Sequence, residues 1–133
     1  MATPNTLPIF VKTPALGSVL ISAANASRTG TGTILQVIAG AVNGTRINKI
    51  FIKAQGNTTA GMVRLFLKTN LGDYHLWKEI KVTAITASAI VQTFNFDILL
   101  PGENALVLPT GWYLYASTEK AEIFIVQAHG GDY

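Results

Sequence analysis

Hydrophobic and polar residues alternate with a period of two along much of this 133-residue chain, the spacing of side chains on a half-buried β-strand. Residues 91–100 show it best. Ile90, Phe94, Phe96 and Ile98 share one parity, while Val91, Thr93, Asn95 and Asp97 take the other. The pattern predicts Phe94 and Phe96 on a core face and Asn95 and Asp97 in water. Downstream, the turn Pro109-Thr110-Gly111 leads straight into an aromatic strand, Trp112-Tyr113-Leu114-Tyr115. The connection between the two segments is too long for a tight hairpin, which suits a sandwich better than a meander.

The same reading applies upstream. Val19, Ile21 and Ala23 oppose Ser18, Leu20 and Ser22 in a short strand, and the Ser/Thr/Asn/Gly cluster of residues 25–32 is a loop. Residues 33–41 are apolar on both parities, and their β-branched content and flanking glycines favour a strand. Asn43-Gly44 is the strongest short turn signal in the chain. After it, Ile50, Ile52 and Ala54 alternate with Lys49, Phe51 and Lys53. In the next strand Val63, Leu65 and Leu67 alternate with Arg64, Phe66 and Lys68. Leu76, Ile80 and Val82 oppose His75, Trp77, Glu79 and Lys81, and Lys78 breaks that pattern, predicting a bulge or an edge. Residues 105–108 read as a strand fragment and 123–128 as the last strand, with a tail of flexible composition at 129–133.

About eight short strands divided by Gly/Asn/Pro turns predict an all-β antiparallel sandwich. A jelly-roll-like arrangement fits the long connections, with an immunoglobulin-like Greek key as the alternative. Residues 1–16 read as an extended N-terminal arm punctuated by Pro4, Pro8 and Pro14, and residues 17–133 as the sandwich domain. Within the arm Ile9, Phe10 and Val11 are apolar enough to dock, either on the chain's own sheet or on a neighbour.

Composition narrows the picture. Only 13% of the residues are charged, against about 25% in an average domain, so part of the surface is expected to be covered by other protein. The net charge of +3 comes from Lys and Arg spread along the chain, not from the dense cluster that a nucleic-acid groove needs. With no cysteine, disulfides and thiolate chemistry are excluded. No apolar run approaches the ~20 residues of a membrane span, and the first residues show no secretory signal.

Candidate chemistry is sparse. His75 and His129 have no paired-ligand spacing, so neither metal nor cofactor is expected. The acidic residues fall in turns or on polar faces, Asp97 being the one best placed to pair with an outward lysine. No Gly-x-Ser-x-Gly elbow occurs, and Gly30-Thr31-Gly32-Thr33 lacks the lysine and helix of a phosphate loop. No motif marks an active site, and a hydrolase, with carboxylates or a Ser–His pair converging in a pocket, stays an alternative. Its most distinctive polar feature is the outward set Lys49, Phe51, Lys53, Arg64, Phe66 and Lys68. If their strands are hairpin neighbours, these residues make one basic stripe carrying two aromatic rings. Such a stripe suits stacking on single-stranded nucleic acid, docking on an acidic protein, or a face whose rings are covered by the arm or a neighbouring subunit. Trp77, Trp112, Tyr113 and Tyr115 could form a sugar-stacking platform, although aromatic residues in strands more often serve core or interface.

The arm Pro8-Ile9-Phe10-Val11-Lys12-Thr13-Pro14, the strand Arg46-Ile47-Asn48-Lys49-Ile50 and the ending His129-Gly130-Gly131-Asp132-Tyr133 carry a family resemblance. So does the run Leu108-Pro109-Thr110-Gly111-Trp112-Tyr113-Leu114-Tyr115-Ala116-Ser117. Together they resemble small all-β virion proteins of tailed bacteriophages, most of all capsid decoration (cement) proteins. The resemblance implies a non-enzymatic, jelly-roll-like homo-oligomer, commonly a trimer, made in the host cytoplasm and seated on the virion. It implies the major capsid protein as partner, with no nucleic acid, no membrane and no cofactor. A receptor- or carbohydrate-binding sandwich of a phage tail or head fibre is the alternative.

Overall fold

Along residues 10–133, the part of the chain that the computed structural model describes, nine strands follow one another. They are β1 (Thr13–Ile21), β2 (Leu35–Ala39), β3 (Thr45–Ala54), β4 (Gly61–Lys68), β5 (Tyr74–Val82), β6 (Asn95–Leu99), β7 (Leu106–Leu108), β8 (Tyr113–Thr118) and β9 (Phe124–Asp132). The only helical element among the described residues is a 3-10 turn at Gly102–Asn104.

All ladders between these strands are antiparallel, and the pairings nest like a long hairpin: β1 with β9, β2 with β8, β3 with β6 and β7, β4 with β5. β6 and β7 lie end to end on β3, so they occupy one strand position broken by the 3-10 turn. Two further ladders, β3 with β9 and β4 with β8, gather the pairs into sheets. Sheet I runs β1-β9-β3-β6, with β7 also on β3, and sheet II runs β2-β8-β4-β5. This is the jelly-roll arrangement of an antiparallel sandwich.

The period-two pattern places the core. Ile50, Ile52 and Ala54 of β3, Val63 and Leu65 of β4, Leu114 and Ala116 of β8, and Phe124, Val126 and Ala128 of β9 interdigitate between the sheets. Where the period slips, a bulge absorbs the extra residue. Asn48 is unpaired in the β3–β9 register, so Ile47 and Ile50 both face inward. Trp77 is the extra residue of β5, next to the Lys78 at which the pattern breaks. The bulge turns Trp77 toward the core and leaves Leu76 outside.

Several boundaries differ from the sequence reading. The strand expected over residues 91–100 starts at Asn95, because Ser88 closes a turn on Val91 and leaves Ile90 in solvent. Phe96 keeps the inward parity but stands at a sheet edge and is exposed. Thr13, Pro14, Ala15 and Leu16, read as arm, already pair with Asp132, Gly131, Gly130 and His129. The tail of residues 129–132 is therefore strand, held between β1 and β3 near the middle of sheet I. The Asn43-Gly44 turn, with Gly44 at φ 94, carries the chain from sheet II to sheet I and closes no hairpin.

Candidate interaction surface

β3 and β4 are consecutive in sequence but belong to different sheets. The stripe expected from Lys49, Phe51, Lys53, Arg64, Phe66 and Lys68 is thus divided between opposite outer faces of the sandwich. Lys49, Phe51 and Lys53 lie outward on sheet I, and Arg64, Phe66 and Lys68 alternate with the core residues of β4 on sheet II. The alternation was legible; the pairing partner was not.

On sheet II the outer face is covered. Phe66 is 0% and Arg64 1% exposed, yet Phe66 stands apart from the inter-sheet core. Residues 22–34 cross over them from β8 to β5. Ala24 bridges to Thr118, Arg28 reaches Glu79, and Gly30 packs against Tyr74 so tightly that a side chain there would overlap the ring. Asn25 shapes this loop. Its Nδ2 donates to the carbonyls of Thr31 and Thr33, each at 2.9 Å, and its Oδ1 accepts from Ser27 N–H. Arg64 closes the cover from below. Its Nε faces Glu79 at 3.4 Å, its Nη1 donates to the Asn25 carbonyl at 3.3 Å, and its Nη2 lies 3.8 Å from Glu119. The apparent phosphate loop, Gly30-Thr31-Gly32-Thr33, is part of this cover.

At the far end of the same face Lys68 enters a cluster of three tyrosines. Its Nζ lies 5.4 to 5.8 Å from the ring centres of Tyr74, Tyr113 and Tyr115, within cation–π range. Tyr115 meets Tyr74 and Tyr113 edge to face. These tyrosines come from β5 and β8 and meet only because those strands flank β4. Trp77 and Trp112 pack against the core instead and supply no platform.

Among the described residues nothing covers the outer face of sheet I. The register sets it out in rows across β1, β9, β3 and β6: Leu16, His129, Lys49, Leu99; then Ser18, Gln127, Phe51, Asp97; then Leu20, Ile125, Lys53, Asn95. Leu16, Leu20 and Leu99 are 66%, 53% and 67% exposed and frame the half-buried Phe51. The arm joins at one end. Lys12 N–H donates to the Asp132 carbonyl, Val11 packs against Gly131, and both Val11 and Phe10 are exposed. Ile9 lies outside the described residues. Sequence reasoning missed Leu16, Leu20 and Leu99, because each is a lone outward leucine until the register aligns them.

β5 and β6 are edge strands among the described residues, and between them the two sheets part around a groove of about 600 Å³, lined by residues 78–81 and 96–99. Lys49 and Asp97 approach to 4.0 Å at its rim, a solvated pair of the kind that adds little stability. His129 Nε2 meets Gln127 Oε1 at 3.2 Å, His75 is exposed, and no group of three or more His, Asp or Glu side chains converges among the described residues. No protein-family model matches the sequence, and no curated protein matches it significantly.

Proposed function

We propose that this chain is a non-enzymatic structural subunit of a phage virion, decorating and cementing the capsid by binding the lattice of the major capsid protein. The observation that carries this reading is the outer face of sheet I. Three exposed leucines surround Phe51 on a four-stranded surface that continues into the apolar arm residues Phe10 and Val11. An uncovered face of this kind in a chain with few charges favours a protein partner. The face is mildly basic through Lys49 and Lys53, which suits an acidic lattice surface. Attachment by both face and arm gains from multivalency on a symmetric shell.

The test is co-sedimentation with empty capsids. Leu16→Asp with Leu99→Asp alters two exposed positions and should abolish attachment while leaving the fold intact; wild-type levels of attachment would overturn the reading. A second reading, a glycan-binding module of a tail or head fibre, is favoured by the tyrosine cluster around Lys68. Three ring faces and an ammonium group suit an acidic sugar. It predicts binding to acidic glycans that Lys68→Ala removes, and no affinity for capsids.

A further inference from the structure

The two lateral sides of the sandwich differ. On the β1/β2 side the sheets meet directly, and Gly17 lies against the Val37 carbonyl where any side chain would force the strands apart. On the β5/β6 side they stand open around the groove. Phe96 and Ile98 pair with the core-facing Ile52 and Ile50 and therefore point into it, and Phe96 is still 45% exposed. Ile80 forms part of the opposite wall, and Lys78 folds its Nζ over the Trp77 ring at 5.1 Å.

The two edges beside the groove are unequal. β5 is blunted by its bulge and by Lys78, Glu79 and Lys81, devices that discourage further pairing. β6 carries a single charge, Asp97, and among the described residues pairs only with β3, which leaves the outer edge of Asn95–Leu99 without a strand partner there. Two copies of β6 cannot satisfy each other well. Antiparallel pairing about a two-fold axis at the strand's centre sets Asp97 against its own copy, a repulsive cross-strand pair.

We propose that this groove receives the N-terminal arm of a neighbouring copy, with Leu7, Pro8, Ile9 and Phe10 laid along the free edge of β6. The inference rests on the reading of the chain as an oligomeric subunit. Residues 1–11 contain no charged side chain, so burying them incurs no charge desolvation. The four charged residues lining the groove, Lys78, Lys81, Glu79 and Asp97, cancel. Leu7 and Ile9 share the parity that turns their side chains inward and their N–H groups toward β6. Pro8 then falls where its missing N–H faces away, the position an edge strand tolerates.

Distance selects the neighbour over the chain's own groove. The arm is anchored where Lys12 bonds Asp132 and Val11 packs on Gly131. From that end of β1 the middle of the same chain's β6 lies three strand spacings across and about six residues along, roughly 25 Å away. Leu7 is only four residues from Val11, a reach of about 14 Å. A neighbour with its closed side against this open side brings its arm to the groove directly. Such contact is head to tail and builds a closed ring wherever the rotation closes.

The absence of cysteine makes the test direct. Ile9→Cys and Phe96→Cys, prepared separately and mixed under mild oxidation, should give a disulfide-linked dimer containing one of each. The yield should be at least about tenfold above that of Ile9→Cys mixed with the loop variant Leu71→Cys, as expected for thiols held close by binding. A yield no greater than that control overturns the proposal. Phe96→Asp should lower the mass in solution from oligomer to monomer while the monomer still unfolds in a cooperative transition, and an unchanged oligomer overturns it equally. Loss of capsid co-sedimentation, with cross-linking intact, would remove the virion reading and leave the arm exchange standing.

Discussion

Arg64 Nη1 donates to the backbone carbonyl of Asn25 at 3.3 Å, tying a fully buried guanidinium to a loop that lies outside the sandwich. Burying a charge this deeply is tolerated only with partners on every side, and here they come from three places: the loop, Glu79 on β5 and Glu119 beyond β8. Glu79 also holds Arg28 through both carboxylate oxygens, at 3.1 and 3.0 Å. Glu79→Ala should therefore strip Arg64 of its nearest carboxylate and release the loop together. Because Glu79 keeps 28% of its side chain in solvent, the loss in unfolding free energy should be about 2 kcal/mol, less than for a fully buried pair. Urea denaturation would measure it, and hydrogen exchange should show faster exchange of amides 26–33.

Phe66 gives the covered face a second test. It is as inaccessible as Leu65 although the two point to opposite sides of β4. Phe66→Ala should cost about 3 kcal/mol, the usual range for a buried aromatic residue. A change under about 1 kcal/mol in chemical denaturation would mean that residues 22–34 do not pack on it.

Gly130 sits against the backbone of Arg46 so closely that a Cβ would overlap the Arg46 carbonyl oxygen. The obstacle is backbone, which cannot rotate aside, so Gly130→Ala should destabilise by about 2–3 kcal/mol. Gly56→Ala is the control: its Cβ would meet nothing within 4 Å. The pair of unfolding midpoints decides the point.

Truncation separates arm from sheet. Removing residues 1–11 leaves every β1–β9 pair in place and should leave the Tm of the dilute, unassembled chain nearly unchanged. Removing residues 1–16 deletes four pairs of that ladder and opens the edge of β9. The Tm should then fall by at least about 5 °C.

How far the sequence could be read is clearest at β3 and β4. The inward sets Ile50, Ile52, Ala54 and Val63, Leu65 are all buried as the period of two requires, because alternation is a property of one strand alone. Phe66 and Arg64 were legible as outward, with a cover by the arm or a neighbouring subunit among the readings, but the loop of residues 22–34 was not legible as their cover because it lies far upstream in the chain. The tail at 129–133 reads as flexible because its glycines lower strand propensity. Residues 129–132 are strand because β1 and β3 pair with them from both sides, and β3 leaves no room for a Cβ at Gly130.

The same division holds for the surfaces on which function is proposed. The sequence by itself determined an all-β chain with most of its strands, the inward parity of their core residues and the bulge or edge at Lys78, since each depends on neighbours a few positions apart. Only the tertiary structure decided which strands share a sheet. That choice separates Phe51 from Phe66, aligns Leu16, Leu20 and Leu99 on one face, gathers three tyrosines around Lys68 and leaves the β5/β6 side open. Sheet membership follows from pairing residues as far apart as Thr13 and Asp132, and no local pattern carries that information.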